Sequence, residues 1–465
     1  MKKKHVLLGA GLAAIGLAAC APTGLDKGFG VDGVKISPLS TEGTDRYLSA
    51  ANGPDGSVYA GGFTTVSGND QAFAVARHLP NGDLDPTFGT GGVAVANVVV
   101  GGGTLENART VAVQSDGKVL ISGTADHELG GTGDARDTDV FIARFNTDGT
   151  ADTTYGTNGI ARVDIGTGRV VGTAFQADSV WGLGVTADDG AVFWGSSPST
   201  TGTDTDWVLG KVTSAGVVDS TFGTNGFTRS GVAGVNDNPR NLIVQSDGKI
   251  VTAGYSTPAG GVLQPFLHRF NADGSFDTSF DTDGVANFPV LAGQSEAYGV
   301  RQHNGGYVAS GYGRGPDVNE AVDQIIYRFN ADGSFDSTFN GGTGVVRFDV
   351  AGLADRARQI EVLPDGRILT PGSATSSAAV TGPPAVPANV DGFVTLLSAT
   401  GQPDAYFGTG GKVVSELGGP NDAWFGSVLS ADGTTVWLTG YKGVAGTVGA
   451  INNDDAAIAK IDLRR

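Results

Sequence analysis

The chain has 465 residues, of which 76 are glycine and only 17% are charged. Its 48 acidic residues outnumber 30 lysines and arginines, giving a net charge of −18 that argues against nucleic acid as a partner. Hydrophobic residues make up 40% of the chain, enough to bury a core, and the glycine excess favours an all-β fold with many tight turns.

The first twenty residues carry the features of an export signal. Lysines at positions 2–4 precede a short apolar stretch at 6–17, well under the roughly 20 apolar residues of a membrane-spanning helix. The segment Leu17-Ala18-Ala19-Cys20 resembles a bacterial lipobox, and Cys20 is the only cysteine. This resemblance implies a signal peptide at 1–19, lipid attachment at Cys20 and a tether at 20–25. An ordinary cleaved signal is the alternative.

The residue after Cys20 indicates the destination. Ala21 stands where an aspartate would imply retention in the inner membrane of a Gram-negative cell. We therefore expect an exported lipoprotein at the outer membrane or cell surface. Without its signal the chain keeps 27 basic and 48 acidic side chains, a net charge of −21.

One short motif, called the marker here, organises residues 26–465. It begins with aspartate, contains an aromatic residue and ends in glycine, as in DPTFGTGG. Its seven copies begin at Asp26, Asp85, Asp152, Asp219, Asp277, Asp336 and Asp404, separated by 58 to 68 residues. A period of this size predicts seven repeated units in one array.

Each unit contains four strand-like runs, which in the second unit lie at 92–99, 108–114, 118–123 and 140–146. Asp-Gly turns such as Asp116-Gly117 separate the middle two runs and indicate hairpins. A segment such as Arg144-Phe145-Asn146-Thr147-Asp148-Gly149 ends the unit. Four antiparallel strands repeated seven times predict an all-β, seven-bladed β-propeller.

The combination of Asp-Gly turns, the RFNxDG segment and the marker resembles the delta-60 repeat family over nearly the whole mature chain. The resemblance implies propeller-like β-repeats of the kind found in bacterial surface and secreted proteins, and it implies no reaction. Two local departures are Gly305-Gly306 at one turn and Leu396 at a repeated basic position.

Repeated charges and rings are expected to be structural. The basic residues Arg77, Arg144, Lys211, Arg269 and Arg328 each precede a marker aspartate by eight residues. A functional site uses a few distinct residues, so a cation that recurs along the repeat is predicted to pair with the repeated carboxylate or with a turn carbonyl. The marker aromatics are predicted to pack between blades: Phe29, Phe88, Tyr155, Phe222, Phe280, Phe339 and Phe407.

The two chain ends are predicted to close the ring, with residues 33–37 completing the blade that ends at 456–462. Asp-Gly turns and markers then share one face, the marker face. The other connections share the opposite, variable face: residues 126–137, 169–179, 257–264, 314–323, 373–391 and 441–455. Because the tether joins the first marker, the marker face is expected to lie near the membrane.

Long variable loops on a rigid scaffold are common binding sites, although tolerated drift explains them equally well. Asp126, His127, Glu128 and Arg314 are the candidate binding residues. No catalytic set is predicted, and neither a cofactor nor a metal ligand set is assigned, since the histidines lack zinc-binding spacing. Calcium is the one metal considered, at Asp204/Asp206, Asp281/Asp283 or Asp454/Asp455, although none fits an EF-hand loop.

Three functional hypotheses follow. The first is a monomeric cell-envelope scaffold that binds a protein or glycan partner through the variable face. The second is a propeller enzyme, a hydrolase or dehydrogenase, acting at the central channel. Such an enzyme should break repeat symmetry with unusual polar residues on the inner strands, and no such cluster is recognised in the sequence. The third is a structural envelope protein without a specific ligand.

Overall fold

The architecture is a ring of seven antiparallel blades. The computed structural model describes residues 24–464 apart from 41–42, 69, 100–105, 127–136, 233–234, 259, 288, 379–387 and 445–453. The predicted seven-bladed β-propeller is confirmed.

The strands of the first two blades, preceded by β1, are β1 (Val34–Ile36), β2 (Arg46–Asn52), β3 (Val58–Ser67), β4 (Asp70–His78), β5 (Val93–Ala96), β6 (Asn107–Val113), β7 (Val119–Asp126), β8 (Thr138–Phe145) and β9 (Ile160–Val163). A separate hairpin and the next two blades comprise β10 (Arg169–Val171), β11 (Ala174–Gln176), β12 (Ser179–Val185), β13 (Ala191–Pro198), β14 (Thr205–Val212), β15 (Phe227–Ser230), β16 (Asn238–Val244), β17 (Ile250–Ser256), β18 (Gln264–Phe270) and β19 (Val285–Asn287). The last three blades comprise β20 (Gln294–Ser295), β21 (Gly299–His303), β22 (Gly306–Arg314), β23 (Asp323–Phe329), the helical turn α1 (Phe339–Gly342), β24 (Val345–Phe348), β25 (Asp355–Ala357), β26 (Glu361–Val362), β27 (Ile368–Ser377), β28 (Asn389–Leu397), β29 (Lys412–Ser415), β30 (Ala423–Leu429), β31 (Thr435–Lys442) and β32 (Asp455–Asp462).

The ring closes through the first strand, as predicted. Strand β1 pairs antiparallel with β32, with Val34 opposite Ala459, and completes the sheet β1-β32-β31-β30. In the other blades too, the strand after each marker forms the outer edge of the preceding sheet, as β5 does beside β4. Pairing the chain ends within one sheet removes an open edge where the ring would otherwise part.

The marker face is held together by turns that need glycine. Gly149 has φ of +82°, and a Cβ there would lie 2.3 Å from the Gly89 nitrogen of the neighbouring marker. The close approach lets the Gly89 N–H donate to the Asp148 carbonyl at 2.7 Å, joining two blades. The equivalent bond between Gly156 and Ala215 measures 2.8 Å, so the contact repeats around the ring.

The predicted ion pairs are confirmed. Arg77, Arg144, Lys211, Arg269 and Arg328 each contact the marker aspartate eight residues later. Where Leu396 replaces the basic residue, Arg367 of the Asp-Gly turn supplies the guanidinium to Asp404 at 3.1 Å. The carboxylate therefore keeps a cation even where the repeat loses one.

The seven marker aromatics are all buried, as predicted. Phe88 is 0% exposed and packs edge-to-face on Tyr59, with ring centroids 5.4 Å apart. Its apolar cluster contains residues from both adjacent blades, including Phe73 of β4 and Val119 of β7. The core is thus divided into layers between neighbouring blades.

Two local expectations need correction. Residues 169–179, predicted as a plain loop, contain the hairpin β10–β11, in which Arg169 Nε donates to Gln176 Oε1 at 2.9 Å. The inner strands of blades 5 and 6 are each split, into β20 with β21 and β25 with β26. No helix among the described residues is long and apolar enough to cross a membrane.

Candidate functional site

The predicted binding residues do not converge. Cys20, His127 and Glu128 lie outside the described residues. Asp126 is the last residue of β7, and Arg314 is the last residue of β22, in different blades. Arg314 donates to the Val318 carbonyl at 2.8 Å within its own loop. No contact between described residues brings Asp126 and Arg314 together.

A different set of residues meets at the centre of the ring. Each inner strand has one irregular position near its start, where a β-bulge shifts the pairing or the strand is split. A bulge inserts an extra residue and redirects its side chain. The residues at these positions are Leu48, Arg109, Trp181, Arg240, Tyr298, Arg358 and Phe425, called the channel ring here. All seven line one cavity of about 220 Å³ and are partly buried.

Arginine and aromatic residues alternate around six of the seven blades. The Arg109 and Arg240 guanidinium carbons lie 4.1 and 4.2 Å from the centroid of Trp181. Arg240 and Arg358 lie 4.8 and 5.3 Å from the centroid of Tyr298. Arg358 is also 4.7 Å from the Phe425 centroid. The cation–π stack is continuous from Arg109 to Phe425, and Leu48 of the first blade separates its two ends.

The channel ring carries positive charge without a carboxylate of its own. No described carboxylate forms a salt bridge with Arg109, Arg240 or Arg358. Burial, together with the nearby Arg240 guanidinium, lowers the pKa of Arg109 to about 10. Burial would raise the pKa of the Tyr298 hydroxyl, but Arg240 and Arg358 together hold it below its ordinary value. The lowered pKa of Tyr298 is the shift expected of a hydroxyl in a positive potential.

Deeper in the channel the charges are paired. Arg301 Nη2 lies 3.0 Å from Glu361 Oε1, which also accepts a hydrogen bond from the Ser427 hydroxyl at 3.0 Å. These residues follow the bulge on their strands and lie closer to the Asp-Gly turns. The unpaired arginines therefore occupy the half of the channel that faces the variable loops.

A buried acceptor at the start of each inner strand fixes the loop before it. These residues are Asp45, Glu106, Asp178, Asp237, Ser295, Asp355 and Asp422. Asp178 Oδ2, for example, accepts the Ile165 and Gly166 N–H groups at 2.7 and 3.2 Å. Burial raises the pKa of Glu106, Asp178 and Asp237 to about 7. The loops around the channel mouth are thus bonded to the blades.

Two groups of aspartates in the described part of the chain have metal-ligand spacing. They are Asp137, Asp139 and Asp164, and Asp323, Asp349 and Asp355. An arginine already contacts each group, Arg162 at Asp139 and Arg347 at Asp323. Neither group contains any of the aspartate pairs considered for calcium in the sequence, and the Asp454 carboxylate accepts a hydrogen bond from Arg46 at 2.6 Å.

The channel ring was missed from the sequence, yet a signal for it exists. Each ring residue lies seven positions before the first residue of its Asp-Gly turn: Leu48 before Asp55, Arg109 before Asp116, Trp181 before Asp188, Arg240 before Asp247, Tyr298 before Gly305, Arg358 before Asp365 and Phe425 before Asp432. Aligning the units on that turn, instead of on the marker, exposes the alternation.

The fold and site define a seven-bladed β-propeller with a cationic, aromatic central channel. Four segments match the family model described as "Domain of unknown function (DUF5122) beta-propeller": residues 53–88, 114–155, 245–280 and 305–339. Each segment runs from an Asp-Gly turn, or its equivalent, to the following marker. The match supports a β-propeller repeat family. None of the curated proteins searched matches the chain.

Solved structures with a similar chain path include three proteins of different descriptions. A protein of unknown function from Dyadobacter fermentans is 10% identical, with TM-score 0.42, covering 93% of this chain and 100% of that chain. Virginiamycin B lyase from Staphylococcus aureus is 11% identical, with TM-score 0.46 and coverages of 92% and 98%. Penicillium chrysogenum alpha-L-arabinanase is 12% identical, with TM-score 0.42 and coverages of 92% and 96%. At these scores the similarities carry no functional argument.

Proposed function

We propose that the protein is a cell-envelope lipoprotein, attached through Cys20, that acts as a binding scaffold. Its ligand enters the central channel from the variable face and contacts the channel ring. The observation that carries this proposal is the departure of the channel ring from the repeat. Marker residues recur in almost identical form in each blade, whereas the ring residues at equivalent positions are arginine, aromatic or leucine.

The proposed orientation leaves the channel mouth accessible. Asp26 begins the first marker, and its N–H donates to the Lys460 carbonyl at 2.7 Å. Residues 21–25 between the proposed anchor and this marker span at most about 17 Å when extended. The marker face would then lie against the membrane, with the variable face pointing away from it.

Photo-crosslinking in living cells tests the channel as the binding site. A photo-reactive amino acid is placed at Leu48, the aliphatic member of the channel ring. The matched control is Val217, a marker-face residue that is 61% exposed. Capture of one discrete compound or protein at Leu48 alone is expected. Equal capture at both positions, or capture only at Val217, would contradict a channel site.

The anchor has its own test. Cys20→Ser is expected to move the protein from the detergent phase to the aqueous phase in Triton X-114 partitioning. A wild-type protein found in the aqueous phase would contradict lipid attachment while leaving the channel site open to the crosslinking test.

An enzyme acting at the same channel is the second candidate, and one observation favours it. The Tyr298 hydroxyl has a lowered pKa and lies 3.2 Å from the Tyr312 hydroxyl, an arrangement suited to proton transfer. If the protein is an enzyme, purified protein should convert the compound captured at Leu48, and Tyr298→Phe should stop conversion without releasing the compound. An unchanged compound after incubation favours the binding scaffold.

A further inference from the structure

We infer that the channel ring binds an oxyanion, a carboxylate or phosphate group held by the N–H edges of Arg109 and Arg358 with Arg240 between them. The inference rests on the proposed channel site and names the chemical class of its ligand. A protein or glycan bound at the variable face would present the same chemistry through an acidic side chain, a uronic acid or a phosphate substituent.

The faces and edges of these guanidinium groups are used differently. Aromatic rings cover the faces, since Arg109 stacks on Trp181 and Arg358 on Phe425. A guanidinium donates its hydrogen bonds from its edge, in the plane of the group. No described residue accepts a hydrogen bond from the Arg109 or Arg358 side chain. The stacking therefore orients two sets of N–H donors and leaves them available to a ligand.

Arg240 connects the two. It shares Trp181 with Arg109 and Tyr298 with Arg358. Its Nη2 donates to the Tyr255 hydroxyl at 2.5 Å and its Nη1 to the Pro239 carbonyl at 2.8 Å. Its Nε is buried and has no hydrogen-bond partner in the described part of the chain. Neutral acceptors thus fix the guanidinium. Burial lowers its pKa, but the Tyr298 and Tyr255 hydroxyls and the Glu296 carboxyl nearby raise it overall.

Two of the nearby carboxylates are already paired with other arginines. Asp454 pairs with Arg46, and Glu361 with Arg301. Glu296 accepts a hydrogen bond from Gln294 at 3.0 Å, and burial raises the pKa of this carboxyl although the nearby Arg240 guanidinium opposes that shift. Bringing cations together in a partly buried channel is costly unless an anion joins them. An oxyanion would relieve that repulsion and accept hydrogen bonds from the unused N–H donors. One guanidinium often donates two such bonds to the same oxyanion.

The hydrogen-bond geometry of the guanidinium group distinguishes an oxyanion site from a channel that only carries positive charge. A carboxylate or phosphate receives two parallel N–H donors from a guanidinium edge, a geometry that lysine does not reproduce. Arg358→Lys keeps the charge but loses this fork, so it should weaken binding almost as much as Arg358→Gln. A channel that merely concentrates anions by its potential would tolerate the lysine.

Isothermal titration of the full mature protein tests the inference, with inorganic phosphate, citrate and benzoate as separate probes at low ionic strength. We expect at least one probe to bind wild-type protein, and Arg109→Gln and Arg358→Gln each to weaken it about 10-fold or more. Arg314→Gln, the same substitution at the end of β22 and outside the channel ring, is the matched control and should leave binding unchanged. Comparing the probes distinguishes phosphate from carboxylate as the preferred group.

A second measurement makes the result independent of folding defects. Leu48→Arg adds a guanidinium at the interruption of the stack and should tighten binding of the same probe. Failure of all three probes to bind at concentrations up to about 10 mM would overturn the inference, as would unchanged binding in both glutamine variants. Capture of a neutral compound at Leu48 would overturn the oxyanion while supporting the channel site. Capture equal at Leu48 and Val217 would instead contradict the proposed function.

Discussion

The marker face and the channel ring treat positive charge in opposite ways. On the marker face each repeated arginine or lysine contacts a carboxylate, and Arg367 restores the contact where Leu396 removes it. In the channel ring, Arg109, Arg240 and Arg358 stack on aromatic rings and have no salt bridge among the described residues. Ion pairs that recur in the blades stabilise the fold. Arginines without a paired carboxylate lower the stability of the folded protein unless a ligand supplies the negative charge. The difference separates residues that hold the blades together from those available to a ligand.

The largest expected loss of stability comes from removing a marker aromatic. Phe88→Ala should reduce the free energy of unfolding by about 3–5 kcal/mol, because Phe88 is fully buried between two blades and its loss leaves a cavity. Phe425→Ala in the channel ring should cost no more than about 2 kcal/mol, because that ring is only partly buried. Chemical denaturation of both variants measures the difference. Equal losses would mean that the channel ring also supports the fold.

The next effect concerns the marker ion pair. Arg144→Met should reduce the free energy of unfolding by about 2–4 kcal/mol, because it leaves the buried Asp152 carboxylate with only Lys118 as a cation. Arg144 also donates to the Ser214 carbonyl, so the substitution loosens the contact between blades. A thermal melt at pH 7 measures the loss. Asp152→Asn alone and combined with Arg144→Met completes a double-mutant cycle, and independent, additive effects would contradict a specific pair.

The carboxylates of the two faces should also respond to pH with opposite signs. Burial raises the pKa of Asp178 to about 7, so its stabilising contribution is present below about pH 4 and is lost as the pH rises through 7. Asp178→Asn, which keeps an oxygen acceptor for the loop, should match wild type at pH 3, where the carboxyl is protonated in both the folded and the unfolded state. At pH 8 it should be more stable by roughly 2 kcal/mol.

The matched control is a marker aspartate. The Thr221 hydroxyl donates to Asp219 and lowers its pKa, so that contribution is present above about pH 4 and is lost as the pH falls further. Asp219→Asn should therefore be less stable than wild type at pH 8 and closer to it at pH 3. Melting curves at pH 3, 5 and 8 compare the variants. The same pH trend in both would contradict the division between the faces.

Repetition explains how much of the molecule the sequence could predict. The seven blades, the closure by β1 and the marker ion pairs follow from motifs that recur at similar spacing. The channel ring does not recur as a residue type, and its residues lie at bulges that interrupt the alternation expected of a strand. Only their common distance from the Asp-Gly turns identifies them. The prediction placed binding residues by loop length, and of these Asp126 and Arg314 lie in separate blades.

The smallest expected change in stability is at a channel-ring arginine, and it tests most directly whether these arginines differ from those of the marker face. Arg358→Met should change the free energy of unfolding by less than about 1 kcal/mol in either direction. It removes a charge that forms no salt bridge with a described carboxylate, and it keeps apolar packing against Phe425. Added phosphate or citrate should raise the melting temperature of wild-type protein more than that of Arg358→Met, since ligand binding stabilises only the folded state. The same oxyanions should stabilise Arg314→Met as much as wild type. A loss above about 2 kcal/mol in Arg358→Met would make this arginine part of the scaffold, like Arg144 on the marker face.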